Sequence, residues 1–507
     1  MSRWLFRAKS IGLITGPLLA ILLAFVLHPD PAHPQIGYTL AIAAWMATWW
    51  ITEALPLAIT SLLPVVLFPF FGVMDGQTVS SAYFNHVISL FIGGFLVALA
   101  MERWNLHKRI ALNILRLTGT GRAKILMGFM LATAFLSMWI SNTATAMMVV
   151  PILMSVLSQI EPEPSSKRSF SAGLLLGVAY SASIGGVMTL VGTPPNLSFL
   201  RIFQLMFPDG PQITFLQWML LAVPVGLLLL GSAWLLLFFR YGRRKDASMS
   251  FEGFHVKDMI RDLGPMSREE KVVLTDFILL AVLWITRSDI QIGSTMIHGW
   301  ASLFGKPAFI NDGTVAIAMA LPLFLIPVKG KNMARIMDWE TTKNLPWDIV
   351  LLFGGGFALA NGFRDSGLSL WIGSQLTALS TLHPIIIILM ICLLVTFLTE
   401  LTSNTATTEM ILPVLAGLAI ATDTHPLLYM LPATLSASMA FMLPAATPTN
   451  AIIFGTRRIN IAEMAKTGFW LNLIGAVVIT AAVYFLGRSI FNIDLANLPD
   501  WVIPAIK

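Results

Sequence analysis

Apolar residues fill this chain in long unbroken runs, not in alternation, and the runs end at short polar or proline-rich breaks. "IGLITGPLLAILLAFVL" (11–27) and "WMLLAVPVGLLLLGSAWLLLFF" (218–239) approach or exceed the roughly 20 residues a helix needs to cross a hydrocarbon core. Continuous runs predict helices, since barrel strands alternate between lipid-facing and lumen-facing residues. The pattern predicts spans near 11–28, 36–54, 57–72 and 87–101, then a basic amphipathic stretch, 102–124, lying along a membrane surface. A hairpin over 125–158 carries Ser141-Asn142-Thr143 at its tip, and crossings at 171–202 and 216–239 follow. Beyond a polar linker (240–271) come spans near 273–286, 313–327 and 346–361 and a second surface stretch, 361–376. A second hairpin over 384–420 and spans near 426–456 and 467–487 complete the set.

Composition agrees. With 507 residues, 56% hydrophobic, 11% charged and a mean hydropathy of +0.78, the chain is too apolar for a soluble protein and reads as an all-α polytopic membrane protein. The net charge of +6 does not imply a nucleic-acid partner, because 26 of the 32 lysines and arginines fall in segments that the span order puts on one side. Those segments are 1–10, 102–124, 159–170, 240–271, 328–345 and 457–466; they set the N-terminus in the cytoplasm and the C-terminus in the periplasm. A hairpin at 125–158, in place of a single crossing, keeps Lys167 and Arg168 inside. The N-terminal "MSRWLFRAKS" reads as the flank of an uncleaved first span, since no small-residue cleavage site follows. Cys392 is read as a packed side chain.

Three landmarks recur in order. "WISNTATAMMVVP" (139–151) returns as "LTSNTATTEMILP" (401–413), "LFIGGF" (90–95) as "LFGGGF" (352–357) and "VGTPPN" (191–196) as "AATPTN" (445–450). The first two pairs share an offset of 262 residues and the third one of 254. The chain therefore divides into an N-terminal segment with the first helix (1–35), a first repeat (36–240), a cytoplasmic linker (241–272), a second repeat (273–487) and a tail (488–507). The two sets of landmarks start from opposite sides of the membrane, so the repeat is inverted. Inverted repeats with matching interrupted segments point to the midplane site of a secondary transporter.

Each half brings a hairpin tip with Ser-Asn-Thr and a span unwound at Gly192–Asn196 or Ala446–Asn450. Proline removes an amide donor and clashes with the preceding turn, which opens the helix where backbone can line a cavity. Freed carbonyls and hydroxyls suit a small hard cation. Freed amides at half-helix starts suit an anion, and no lysine or arginine falls at either motif. Close packing of small residues explains an isolated Ser-Thr pair equally well, but not a duplicated asparagine motif with two proline breaks. Glu53 and Asp348 fall at span ends and read as interfacial; Glu400 and Glu409 either line the site or brace the hairpin. The eight histidines fall in loops or at span ends without metal-ligand spacing, and most of the fifteen tryptophans read as an interface belt. No phosphate-binding loop, catalytic triad or redox pair suggests an enzyme or ATP-driven transport.

With these motifs in order along nearly the whole chain, beginning at "FIGGFLVALAMERWNLHKRIAL", the sequence resembles the divalent anion/sodium symporter family, the INDY-type di- and tricarboxylate transporters. The resemblance implies eleven spans plus two re-entrant hairpins, a homodimer joined by scaffold domains, and transport domains that move as elevators. It implies at least two sites for the coupling ion Na+, one of Ser137, Ser141, Asn142 and Gly192, the other of Thr399, Thr402, Asn404 and Ala446, several through backbone carbonyls. The substrate carboxylates would be held by Ser141, Asn142, Thr143, Thr193, Ser403, Asn404, Thr405, Thr447 and Pro448. Thr449 stands where the first half has Pro195, so the second break has one proline fewer. Exchanger members tend to carry basic groups at the sodium sites, and none occurs here. The expected function is sodium-coupled import of C4-dicarboxylates (succinate, malate, fumarate) across a bacterial inner membrane. A sodium-independent di/tricarboxylate exchanger is the alternative. A channel or a non-transporting sensor fits less well, because two facing gates suit alternating access.

Overall fold

A computed structural model describes residues 2–27, 32–119, 121–160, 170–243, 256–292, 295–330, 333–495 and 497–502. The basic pair Lys167 and Arg168, the linker residues 244–255, and Lys507 lie outside the described residues. Among the described residues the chain is mostly helical, with almost no strand. α1 (Ser2–Leu22) lies along α2 (Pro34–Thr52), tied by the Trp49 indole donating to the Gly12 carbonyl at 3.0 Å. The span expected at 57–72 is two short helices, α3 (Leu57–Thr60) and α4 (Leu63–Phe70). Pro64 has no amide to continue the ladder onto Thr60, and the Ser61 carbonyl instead accepts the Tyr83 hydroxyl. α5 (Gly76–Ser81) and α6 (His86–Arg103) start at Asp75 and Asn85, whose side chains accept their first free amides. α7 (Leu106–Thr118) is the amphipathic stretch: Leu106, Ala111, Leu112 and Leu115 are buried while Lys108 and Arg116 are exposed.

The first hairpin is α8 (Arg122–Ser137) and α9 (Asn142–Ile160), and the first broken span is α10 (Phe170–Val187) and α11 (Pro194–Met206). α12 (Phe215–Leu237) starts in a Thr214–Gln217 capping box, and α13 (Val256–Asp262) closes the linker. In the second half come α14 (Arg268–Ile285), α15 (Asp312–Leu325), the single turn α16 (Trp339–Thr342), α17 (Trp347–Asp365) and α18 (Leu368–Gln375). A pair of three-residue strands between α14 and α15, Ile290–Ile292 and Thr295–Ile297, was not expected. The second hairpin is α19 (Pro384–Thr399) and α20 (Asn404–Ala421), the second broken span α21 (Leu427–Ser436) and α22 (Pro448–Gly455), followed by α23 (Ile461–Ala481) and α24 (Arg488–Phe491). Among the described residues, six stretches are long and apolar enough to cross a membrane and five shorter apolar helices accompany them. Three of those eleven are hairpin arms, so they do not map one-to-one onto eleven spans.

The packing displays the inversion. α8 packs on α10 as α19 packs on α21, while α10 meets α22 and α11 meets α21, so the two broken spans run antiparallel. α10 is buried along its entire length at the centre. Exposed Ile14, Leu228, Val477 and Phe485 give α1, α12, α23 and its π-helical extension an apolar outer face suited to lipid. Lipid gives helices no hydrophobic incentive to associate, so close backbone approach matters. The repeated glycine motif supplies it differently in each half. Gly93 lets α6 close on the backbone of Ala316, whereas Gly354, Gly355 and Gly356 receive Tyr83, Ser61 and Glu409.

Three expectations need correction. Seven tryptophans (49, 50, 104, 218, 234, 284 and 300) donate their indole N–H to backbone carbonyls elsewhere in the chain, and Trp50, Trp218 and Trp284 are fully buried. These seven act as fasteners and not only as a belt, because bonding a carbonyl offsets the cost of burying an indole N–H. The stretch at 361–376 is not simply superficial: α17 continues through buried Asn361 and Phe363 to Asp365, and α18 packs on α20 where Gly373 meets Gly417. His107 likewise is inside α7 and 2% exposed, its Nδ1 3.1 Å from the Met101 carbonyl.

Candidate functional site

Each hairpin turns in four residues, and the same knot forms at both tips. The Ser137 hydroxyl lies 2.7 Å from the Asn142 Oδ1 and 2.7 Å from the Ala182 carbonyl. In the second half the Thr399 hydroxyl lies 2.6 Å from the Asn404 Oδ1 and 2.8 Å from the Ala437 carbonyl. One hydroxyl thus ties the end of the first arm to the start of the second and to the neighbouring broken span. Gly186 and Gly192 complete the first knot. A β-carbon on Gly186 would strike the Asn142 amide group, and one on Gly192 would lie 2.8 Å from the Ser137 carbonyl. Ser137, Asn142 and Gly192, predicted together from sequence, are therefore neighbours in space. Ser141 precedes α9 and its hydroxyl accepts the Ala144 amide at 3.2 Å.

Thr143 and Thr405 stand in the first turns of α9 and α20, and Ser403 is the N-cap of α20 without a capping side-chain bond. First-turn amides have no acceptor within their own helix, so both tips offer N–H groups and a partial positive charge. The breaks repeat the arrangement. Thr193 (φ −147°, ψ 142°) and Thr447 (φ −141°, ψ 150°) are extended N-caps in nearly the same conformation, each followed by proline, Pro194 or Pro448, at the first helical position. The Thr447 hydroxyl accepts the Asn450 amide at 3.2 Å and pairs with Thr449 at 2.8 Å; Thr193 makes no capping bond.

Not every predicted ligand is presented. The Thr402 hydroxyl turns back into the hairpin, to the Leu398 carbonyl at 2.9 Å and to Thr407, which leaves its carbonyl as the available donor. The Ala446 amide bonds the Leu443 carbonyl at 3.2 Å. The expectation of freed backbone at the breaks is also only partly met. Asn196 Nδ2 donates to the carbonyls of Gly186 (3.2 Å) and Thr189 (2.7 Å), and Trp218 to that of Val187 (2.9 Å). Asn450 Nδ2 likewise takes up the carbonyls of Ala440 and Leu443, both at 3.0 Å. A buried carbonyl without a partner is costly, and these side chains remove that cost without a bound ion.

Sequence reasoning left Glu400 open between lining the site and bracing the hairpin, and missed Asn472, Asn196, Asn450 and Trp218. Glu400 is 4% exposed, and its carboxylate accepts the amides of Phe441 (2.7 Å), Met442 (2.9 Å) and Leu443 (3.1 Å) and the Asn472 side chain (2.8 Å). It braces the second break. Thr189 plays the lesser part in the first, its hydroxyl donating to the Met138 carbonyl and accepting the Gly192 amide at 3.2 Å. An asparagine in the apolar run "FWLNLIGAV" was the available signal for Asn472. Glu409 turns away from the tip toward α11 and α17. Glu53 ends α2, exposed, 3.4 Å from Lys9, and Asp348 lies in the first turn of α17.

The sodium-dependent dicarboxylate transporter SdcS of Staphylococcus saprophyticus is 44% identical over 496 residues, 96% of this chain and 93% of that protein. SdcS of Staphylococcus aureus is 45% identical over 492 residues, 96% of this chain and 92% of its own length. Two solved structures share the fold: MtrF of Neisseria gonorrhoeae (TM-score 0.58, 12% identity, 92% of this chain and 96% of that one) and YdaH of Alcanivorax borkumensis (TM-score 0.57, 15% identity, 89% and 98%). The model of the sodium:sulfate symporter transmembrane region matches residues 10–493, and the chain belongs to that family of multi-pass membrane proteins.

Proposed function

We propose that this protein is a sodium-coupled symporter that imports C4-dicarboxylates such as succinate, malate and fumarate across the bacterial inner membrane. The observation that carries the reading is the pair of matching knots, Ser137–Asn142 and Thr399–Asn404, each at the start of a helix and each beside a proline break. The two SdcS relatives, named as sodium-dependent dicarboxylate transporters, support the choice of ion and substrate class. Uncharged oxygens at Ser137, Asn142 and Gly192, and at Thr399, Thr402, Asn404 and Ala446, suit a hard monovalent cation held weakly enough to be released. Hydroxyls and first-turn amides of Ser141, Thr143, Thr193, Ser403, Thr405, Thr447 and the Pro448 turn suit carboxylates. With no basic side chain to balance a dianion, sodium bound at both knots supplies the charge, and each ligand strengthens the other's binding reciprocally. The hairpin-bearing helices then slide as an elevator against the remainder, within a homodimer, the N-terminus cytoplasmic and the C-terminus periplasmic.

The test is uptake of labelled succinate into proteoliposomes of the pure protein. Uptake driven by an inward sodium gradient and absent with potassium is expected. Uptake that ignores sodium and requires internal dicarboxylate would instead make the protein an exchanger.

A further inference from the structure

Glu409 lies on α20 five residues beyond Asn404, is 0% exposed, and belongs to neither knot. Its Oε1 accepts the Ser198 hydroxyl from α11. Its Oε2 has no hydrogen-bond partner and rests against Gly356 of α17, where any β-carbon would collide with it. The third glycine of "LFGGGF" is thus the recess that admits this carboxyl group. The charged and titratable groups on the helices packed against α20 are Arg201 on α11, Asp348, Arg364 and Asp365 at the ends of α17, Tyr38 on α2, Cys392 on α19 and Tyr429 on α21. None of them exchanges a hydrogen bond or ion pair with Glu409, and Ser198 is the one polar group acting on it among the described residues.

A carboxylate ion in such a place is prohibitively expensive without a cation to neutralise it. A metal ion needs several oxygen ligands, and among the described residues the Ser198 hydroxyl is the one side-chain oxygen from another helix bonded to this carboxyl group. A proton needs only the carboxyl group and that hydroxyl. We propose that Glu409 is a proton-binding site on the face where the second hairpin meets α11 and α17, protonated whenever that face is closed. When the face opens, the carboxyl O–H bond breaks, water takes the proton and the carboxylate keeps the electron pair; only re-protonated Glu409 packs again onto Gly356. The proton therefore gates the movement of α20 past α17, a step that rests on the elevator reading above.

The experiment is sodium-driven succinate uptake by wild type and Glu409→Gln across external pH from about 6 to about 8.5, taken as the ratio of variant to wild type so that substrate ionisation cancels. Because the neutral amide needs no proton, the ratio should rise about tenfold over that range. Infrared spectra of the wild-type protein should keep a band from an un-ionised carboxylic acid at alkaline pH, shifted by Ser198→Ala, a reading that survives if Glu409→Gln does not fold. A ratio constant within about twofold, or no acid band that Ser198→Ala moves, overturns the proton site. Absence of sodium-driven uptake in the wild type would overturn the transport reading instead.

Discussion

The two halves hold their ligand-bearing residues alike and brace them differently. At each tip a hydroxyl bonds an asparagine oxygen and a carbonyl of the broken span, and at each break an asparagine, Asn196 or Asn450, gathers stray carbonyls. The bracing of the break is where they part. The second half uses a carboxylate that accepts three consecutive amides and a side-chain amide; the first half uses neutral groups, the Thr189 hydroxyl and the Trp218 indole. At an offset of 262, Glu400 stands where the first half has Met138, and at 254 Leu443 stands where it has Thr189. The brace thus changed from a hydroxyl on the broken span to a carboxylate on the hairpin. Charge-assisted bonds are about twice as strong as neutral ones, so the second break should be the stiffer of the two and the first the more ready to yield.

If the knots are equivalent, Asn142→Ala and Asn404→Ala should be equally damaging, each lowering sodium-driven uptake about 100-fold or more while the protein still assembles, since each removes a shared, half-buried acceptor worth about 1–3 kcal/mol and a proposed ligand of both ion and substrate. Unchanged uptake in either would remove that knot from the site. The braces come next and should separate the halves. Glu400→Gln sets an NH2 group against amide donors, and about 3 kcal/mol of local stability should be lost, seen as a lowered melting temperature and uptake reduced at least about tenfold. Thr189→Val gives up two neutral bonds, about 1 kcal/mol each, and uptake should fall less, about fivefold. Equal losses in these two variants would erase the distinction between a stiff and a yielding break.

Much of this was readable in the chain because the repeat repeats its words: Ser-Asn-Thr, Gly-Gly and Thr-Pro mark the tips, the helix contacts and the breaks, and all three form where the pattern put them. What was not readable shares a physical cause. Ala182 and Ala437 contribute only carbonyls, which no side-chain pattern announces. Glu400 and Trp218 act at long range in sequence on backbone groups, so composition alone could not assign them to a brace. The division of 57–72 into two helices was visible in Pro64, but hydropathy outweighed it.

A smaller effect probes the turn that leads from the second hairpin to its broken span. His425 is 4% exposed, its Nδ1 is 3.3 Å from the Leu427 amide, and its ring lies 5.4 Å from that of Trp501. Burial pushes its pKa down to about 4, from near 6.5 in an unfolded chain. Between those values the unfolded chain binds a proton that the folded one refuses, so the stability this ring contributes is whole above about pH 6.5 and is lost as pH falls toward about 4. His425→Gln keeps an acceptor and has nothing to titrate. Melting temperatures measured at about pH 7.5 and about pH 4.5 should fall more in the wild type than in this variant, by about 2 °C in a chain of this size. An equal fall in both would locate the acid sensitivity elsewhere.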